Sequence, residues 1–168
     1  FRIGAGGHLD WLPQETILFD GAAVSRDTVV ELDAEATCLM LESVILGRRA
    51  MGETVARVDF LDRRVIRREG RLIHLEPTTL GVVTVAPGRA ALLGPSRAYA
   101  SIVAIGPGYP DRLAAVRAVL DEAGVLSGAS ALADKLTLRM LAADGLTLRR
   151  QVLRVLAVLR PDVPLPRV

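Results

Sequence analysis

Two glutamates fall on apolar faces of predicted strands, where a carboxylate could bind a cation or transfer a proton. Glu42 shares a strand face with Cys38 and Val44, and Glu76 ends the segment LIHLE. Burial of a carboxylate costs several kcal/mol unless the group is paired or hydrated. Each glutamate is therefore either paired with one of the many arginines or placed at a wet strand end, or it lines an internal polar path or transient metal site.

Softer metal ligands are few in this sequence. His8, His74 and Cys38 are the only histidines and the only cysteine. They lack the His-x-x-x-His or Cys-x-x-Cys spacing of a closed metal site, and one cysteine cannot form an internal disulfide. His74, on a half-apolar strand, is typical of a packed histidine, but it stays a candidate ligand because Glu76 is two residues away.

Motifs of enzymatic catalysis are weak. The chain has no Gly-x-Ser-x-Gly, no Walker A loop and no Gly-x-Gly-x-x-Gly after a strand. A Glu42/Glu76 pair could serve as the acid and base of a glycosidase, although one Trp and two Tyr provide few aromatic platforms for a sugar. A carbohydrate-active enzyme and a generic β interaction module therefore remain alternatives.

An arginine-rich segment follows the first predicted strands, and acidic residues are interleaved with it. It could bind phosphate or an acidic partner, but a solvated, mixed-charge strand edge is the favoured interpretation, since arginine at an edge blocks unwanted strand pairing. The arginines are Arg63, Arg64, Arg67, Arg68 and Arg71, and the acids are Asp59, Asp62 and Glu69.

Length and composition bound the class of protein. The 168 residues, 51% of them hydrophobic, predict one domain with a real core. The net charge of +2 favours neither a nucleic acid nor a membrane as partner. No signal peptide or bilayer-spanning run is recognisable, so a cytoplasmic location is expected. The start at Phe1 suggests that an N-terminal part of a longer protein is missing.

The first two thirds of the chain predict β-strands. Thr37–Gly47 is apolar on both faces, as in a strand covered on both sides, so Glu42 is not expected on open surface. The predicted strands are Thr16–Phe19, Thr28–Asp33, Thr37–Gly47, two strands within Glu53–Glu76 joined at Glu69-Gly70, Gly81–Gly88 and Tyr99–Gly108.

Helical periodicity replaces the β pattern in the last third. One helix is predicted at Asp111–Ala123, with Pro110 in its first turn and Gly124 as its C-terminal cap. A strand around Lys135–Leu141 precedes a second helix, Leu146–Leu159, for which Asp144 is the candidate N-cap. We therefore expect a mainly β, layered fold with two C-terminal helices, in which residues 1–108 form a β-rich region and 109–168 a two-helix region of the same domain.

Three strings of residues carry a resemblance to a known family. They are LDWLPQETILFDGA (Leu9–Ala22), ESVILGRRAMGE (Glu42–Glu53) and VLRVLAVLRPDVPLPRV (Val152–Val168). In order and spacing they resemble the Trp-Leu-Pro-Gln segment, the strand with its Gly-Arg loop, and the final helix with its Leu-Pro-Arg tail of the urease accessory protein UreD family, also called UreH. The resemblance covers essentially the whole chain, with Asp10 where the family often has Glu, and lacks the family's N-terminal part.

The resemblance implies a non-catalytic scaffold with a solenoid-like β fold. Members of the family bind UreF, and through it the GTPase UreG, and dock on apo-urease. Nickel then reaches the urease active site along an internal path, so Glu42 and Glu76, with His74 beside them, are candidate path-lining residues. Transient Ni²⁺ passage is implied rather than a tightly bound cofactor, and the helices Asp111–Ala123 and Leu146–Leu159 are candidate partner contacts.

Overall fold

A computed structural model describes residues 1–86 and 92–164, and the backbone alone of Arg49. With 47% strand and 19% helix, it confirms the predicted mainly β class. The strands are β1 (Arg2–Ile3), β2 (His8–Trp11), β3 (Thr16–Leu18), β4 (Ala22–Leu32), β5 (Thr37–Leu46), β6 (Val58–Arg68), β7 (Arg71–Leu80), β8 (Ala98–Ile105), β9 (Val125–Leu132) and β10 (Lys135–Ala142). The helices are α1 (Val82–Val85), α2 (Leu113–Ala118) and α3 (Gly145–Leu159), and 3₁₀ turns occupy Arg49–Met51 and Pro110–Arg112.

The chain forms two compact units. Unit 1 comprises Phe1–Asp10, Ile17–Thr37 and Leu46–Pro95, and unit 2 comprises Trp11–Thr16, Cys38–Ile45 and Ser96–Val168. Among the described residues, no helix combines the length and the apolar character needed to cross a bilayer.

Unit 1 contains a four-stranded sheet in the order β1-β4-β6-β7. β1 and β6 run parallel to β4, and β7 runs antiparallel to β6. The hairpin predicted at Glu69-Gly70 is confirmed, because both residues adopt positive φ angles (49° and 76°) in the turn between β6 and β7. β6 therefore lies inside the sheet, with a partner strand on each side.

Unit 2 contains the antiparallel strand order β5-β8-β10-β9, with α2 and α3 against one face. Alternate residues of the strands point to that face, as the period of two requires. The core between sheet and helices contains Leu39, Leu41, Ala98, Ala100, Ile102, Ala104, Val116, Leu136, Leu138, Met140, Ala142, Leu148, Val152, Val155, Leu156 and Leu159.

The strand predicted at Gly81–Gly88 is wrong. Residues Val82–Val85 form the short helix α1, while Pro87 and Gly88 lie outside the described residues. The Thr84 hydroxyl accepts a hydrogen bond from the Gly81 amide at 3.3 Å, which stabilises a helical turn. Val82 is 59% exposed, so the apolar run that suggested a buried strand is not buried.

The first predicted helix is shorter than Asp111–Ala123. Pro110 does begin its first turn, but α2 ends at Ala118, where tight i→i−3 bonds such as Val119 to Val116 close the last turn. Gly124, with φ of 82°, lies in the turn before β9 and is not the helix cap. The sequence prediction missed β9 because VLSGASAL alternates small and polar residues and has little apolar signal.

The second predicted helix is confirmed as α3, and Asp144 is its N-cap. One carboxylate oxygen of Asp144 accepts from the Thr147 amide, and the other accepts from the Thr147 hydroxyl, both at 2.9 Å. The apolar stripe of the helix buries Val152, Val155 and Leu156 in the core of unit 2.

Removal of this cap gives the first testable prediction. Asp144→Ala should lower the free energy of unfolding by about 0.5–2 kcal/mol, because the Thr147 amide at the helix start loses its acceptor. Asp144→Asn should have little effect, since asparagine caps helices about as well as aspartate. Denaturant unfolding monitored by circular dichroism measures both variants, and equal losses in the two would contradict the capping role.

Candidate functional site

A layer of charged side chains, all but one of them buried, crosses three strands of unit 1. We call it the charged layer and define it as Arg26 on β4, Asp62 and Arg64 on β6, and His74 and Glu76 on β7. Strand register sets Arg26 opposite Asp62 and Arg64 opposite Glu76, so the five side chains share one face of the sheet. Asp62, Arg64 and Glu76 are between 1% and 5% exposed.

Arg64 lies at the centre of the charged layer. Its Nη2 donates to Glu76 Oε2 at 2.6 Å, and its Nε lies 3.8 Å from Asp62 Oδ2. The other Asp62 oxygen accepts from Arg26 Nε at 2.9 Å. His74 Nε2 lies 3.7 Å from the Glu76 oxygen that Arg64 binds. Glu76 and His74, two residues apart on the predicted strand, therefore share one environment that also contains Arg64 and Asp62.

Several buried polar atoms of the charged layer have no hydrogen-bond partner among the described residues. They are Nε and Nη1 of Arg64, Oδ2 of Asp62 and Nε2 of His74. Most buried polar atoms in proteins are hydrogen-bonded, and an unsatisfied one costs about 1–3 kcal/mol. The charged layer therefore has hydrogen-bonding capacity that the described residues do not use.

The arginine-rich segment is not the solvated strand edge that the sequence suggested. β6 lies between β4 and β7, and Arg64 is buried. Arg63 and Arg67 follow the expectation in part, since Arg63 is paired with Asp27 in an exposed ion pair on the opposite face. The missed signal is the period of two along β6, in which Asp62 and Arg64 alternate in phase with the buried residues Val58, Phe60 and Ile66.

Glu42 lies on β5 in unit 2 and is 2% exposed, as expected for a strand apolar on both faces. It faces away from α3, because its neighbours Leu41 and Ser43 contact the cavity on the helix side. Glu42 Oε1 accepts a hydrogen bond from the Thr16 hydroxyl at 3.1 Å, and Ser101 of β8 lies opposite it in the sheet. Glu42 and Glu76 thus belong to different units.

The soft ligands occupy structural positions. His8 is hydrogen-bonded to the Thr37 hydroxyl at 2.7 Å and to Asp10 at 2.9 Å, and the thiol of Cys38 is buried. Within residues 1–86 and 92–164, no three His, Cys, Asp or Glu side chains are grouped so that they could hold a metal ion.

The Leu12–Glu15 corner borders a cavity in unit 2. Leu41 and Ser43 of β5 form one wall of the cavity, and residues Gly145 to Leu156 of α3 form another. Glu15 accepts from Arg149 of α3 at 3.1–3.2 Å, which fixes the corner to the helix. Trp11, the last residue of β2 and the one directly before the corner, is 37% exposed.

A second pair of carboxylates joins two loops in unit 1. Asp20 Oδ1 accepts from the amides of Ala56 and Arg57 at 2.8 and 2.7 Å. Glu53 accepts from the Arg48 amide and guanidinium, both at 3.0 Å, and from the Asp20 amide at 3.2 Å. The Asp-Gly turn of the first string and the Gly-Arg loop of the second are therefore held together by their own acids.

The environment of Glu53 makes stability depend on pH. Hydrogen bonds, above all from the Arg48 side chain, lower the pKa of Glu53 from 4.5 to about 2, and the amides of Arg57 and Ala56 lower the pKa of Asp20. A carboxyl whose pKa is lowered by folding stabilises the fold fully above its unfolded pKa. That stabilisation is lost as the pH falls from about 4.5 towards 2.

Glu53→Gln should make the free energy of unfolding fall less steeply as the pH is lowered from 4.5 to about 2. Between pH 4.5 and 2 the unmodified protein should take up about one more proton on unfolding than the variant does. The measurement is the free energy of unfolding by denaturant at several pH values. Glu35→Gln, at an exposed position of the same unit, is the control and should keep the original slope. An unchanged slope in Glu53→Gln would show that the hydrogen bonds to Glu53 do not shift its titration.

Comparison with known proteins was made on the whole chain. The family model described as UreD urease accessory protein matches residues 1–168. The chain belongs to the UreD urease accessory protein family. Its relatives include the urease accessory protein UreD of Paracoccus denitrificans, 52% identical over 168 residues, and that of Cereibacter sphaeroides, 55% identical over 169 residues. UreD of Rhizobium etli is 49% identical over 168 residues.

These alignments cover 99% of this chain but only 60–61% of each relative. The chain therefore spans about three fifths of the length of the curated relatives that it matches. The strings that first suggested UreD have structural roles here: the Leu12–Glu15 corner packs on α3, and Asp20 and Glu53 join two loops. Of the two buried acids, Glu42 begins the second string, whereas Glu76 lies outside all three strings.

Proposed function

We propose that this chain acts, as part of a longer protein, in the maturation of urease. It serves as a non-catalytic scaffold that docks on apo-urease, binds UreF and, through UreF, the GTPase UreG. The observation that supports this role is the match of the UreD urease accessory protein family over the entire chain. Nickel is the cargo of the assembly and no tightly bound cofactor is required.

The buried acids suggest how nickel would pass. Glu42 and Glu76 are buried carboxylates, Glu42 accepting from the Thr16 hydroxyl and Glu76 from Arg64, with His74 Nε2 3.7 Å from Glu76. A carrier must release its metal, and sparse carboxylates with water bind Ni²⁺ more weakly than a set of Cys and His ligands does. We therefore assign Glu42 and Glu76 to the lining of a nickel path, with His74 as an additional contact.

The exposed sides of α2 and α3 are the proposed partner contacts. Arg154 of α3 is bonded to Asp121 at 2.7 Å and lies 3.6 Å from Glu122, so α3 and the segment that follows α2 present one charged surface. Leu146, at the start of α3, is 61% exposed and offers an apolar contact beside it. Such a mixture of charged rim and apolar anchor is common at protein interfaces.

The glycosidase alternative has no support in the geometry of either unit. Glu76 is bonded to Arg64, and Glu42 lies on the sheet face opposite the cavity of unit 2. Both carboxylates are at most 5% exposed, whereas a glycosidase must present its two acids to a sugar in a cleft.

Co-expression tests the scaffold role. The full-length protein should be poorly soluble alone and should become soluble in a complex with UreF, which size-exclusion chromatography would detect. Leu146→Asp and Arg154→Glu, on the exposed side of α3, should weaken this complex. Leu126→Asp is the control, because Leu126 is exposed on β9 and not on a helix. Failure of the unmodified protein to form any complex with UreF would contradict the proposal.

A further inference from the structure

We propose that Arg64 is the resident counter-ion of the buried carboxylates in unit 1, and that it sets how weakly a divalent cation is held there. This inference rests on the proposed role of Glu76 in nickel passage and adds a residue that controls affinity.

The charged layer is electrically balanced as it stands. Arg26 and Arg64 carry two positive charges, and Asp62 and Glu76 carry two negative charges. Arg64 is the member that lies close to both acids, 2.6 Å from Glu76 and 3.8 Å from Asp62. In a poorly hydrated interior, opposite charges at these distances attract far more strongly than they do in water.

A divalent cation cannot simply be added to this arrangement. A cation bound to Glu76 would lie within a few ångströms of the Arg64 guanidinium, because both would contact the same carboxylate. Like charges so close repel strongly at low dielectric. Binding of the metal therefore requires Arg64 to move away from Glu76, and loss of that ion pair weakens the net affinity.

Without Arg64, Glu76 and His74 remain as two neighbouring potential ligands of a cation. The two side chains are separated by 3.7 Å, and carboxylate and imidazole are both good ligands of Ni²⁺. His74 Nε2 has no hydrogen-bond partner among the described residues, so it is available to a cation bound at Glu76. Arg64 thus keeps the affinity of the charged layer for a cation low, so that a bound cation can be released.

Nickel binding to variants of the full-length protein tests the inference. Arg64→Met removes the counter-ion and should lower the Kd for Ni²⁺, added as the chloride and followed by isothermal titration calorimetry, by about tenfold or more, equivalent to about 1.4 kcal/mol. Arg63→Met is the matched control, because it removes the adjacent cation on the exposed face of the same strand and leaves the buried acids paired. Its Kd should equal that of the unmodified protein.

Two double variants complete the test. Arg64→Met/Glu76→Gln should lose the gained affinity, which would locate the effect at Glu76. Asp62→Asn/Arg64→Met keeps the layer neutral, so it guards against misfolding of the single variant, and it should still bind Ni²⁺ more tightly than the unmodified protein. If a folded variant without Arg64 binds Ni²⁺ no more tightly than Arg63→Met, the inference is overturned.

Failure of this inference can be told apart from failure of the proposed function. If Arg64→Met tightens nickel binding but Glu76→Gln supports normal nickel loading of urease, Arg64 controls affinity and the nickel path is elsewhere. If Glu76→Gln impairs loading but Arg64→Met binds nickel as weakly as the unmodified protein, the path stands and the counter-ion role is overturned.

Discussion

Glu76→Leu is expected to lower the free energy of unfolding by about 3–5 kcal/mol, since it leaves the Arg64 guanidinium buried without its closest carboxylate. The double variant Arg64→Leu/Glu76→Leu should recover most of this loss, because replacing both members of a buried pair by apolar residues is often neutral. Chemical denaturation of the single and double variants measures the coupling between the two side chains.

Glu31→Leu is the matched control for this cycle. Glu31 of β4 pairs with Arg67 of β6 in the same sheet at 3.1 Å, but both side chains are more than a third exposed. Ion pairs of this kind contribute about 0–1 kcal/mol, so the control should be nearly neutral. Equal effects of Glu31→Leu and Glu76→Leu would show that the charged layer is hydrated and that Arg64 is not confined by burial.

The second large effect is expected in the core of unit 2. Leu138 on β10 is 1% exposed and packs between the sheet and the helices. Leu138→Ala removes buried apolar surface and leaves a cavity, so the free energy of unfolding should fall by about 2–5 kcal/mol. Thermal and denaturant unfolding of the variant provide the measurement.

The same substitution on the neighbouring strand is its control. Leu126 on β9 is 70% exposed, and Leu126→Ala should change the free energy of unfolding by about 0.5 kcal/mol or less. Comparable losses in both variants would mean that the exposed side of β9 is buried in solution, for instance against a partner.

Much of the fold follows from periodicity. β5, β6, β7 and β10 combine apolar runs with clear turn signals, and α3 has both a stripe and an N-cap at Asp144, so these elements were predicted correctly. The segment Val82–Val85 was misassigned because four apolar residues do not distinguish a strand from a helical turn. β9 was missed because its small residues pack without a strong apolar pattern.

The candidate site shows what a single sequence leaves undetermined. Burial of Glu42 follows from the apolar residues on both faces of β5, so it could be predicted. The partner of Glu76 could not, because the register that sets Arg64 opposite it depends on the bulge between Ile66 and Arg67 as well as on the turn. Arg63 and Arg64 look equivalent in the sequence, but the pleat of β6 directs Arg64 to the buried face and Arg63 to the exposed face.

The most direct test of the central claim is the nickel content of urease matured in cells with variants of the full-length protein. Glu42→Gln and Glu76→Gln keep the shape of each side chain, and Glu35→Gln, at an exposed position, is the control. We expect urease with clearly reduced nickel from the first two variants, with full nickel from the control, and with intact UreF complexes in all three. Full nickel content with both Glu42→Gln and Glu76→Gln would contradict the role of these buried acids in nickel delivery.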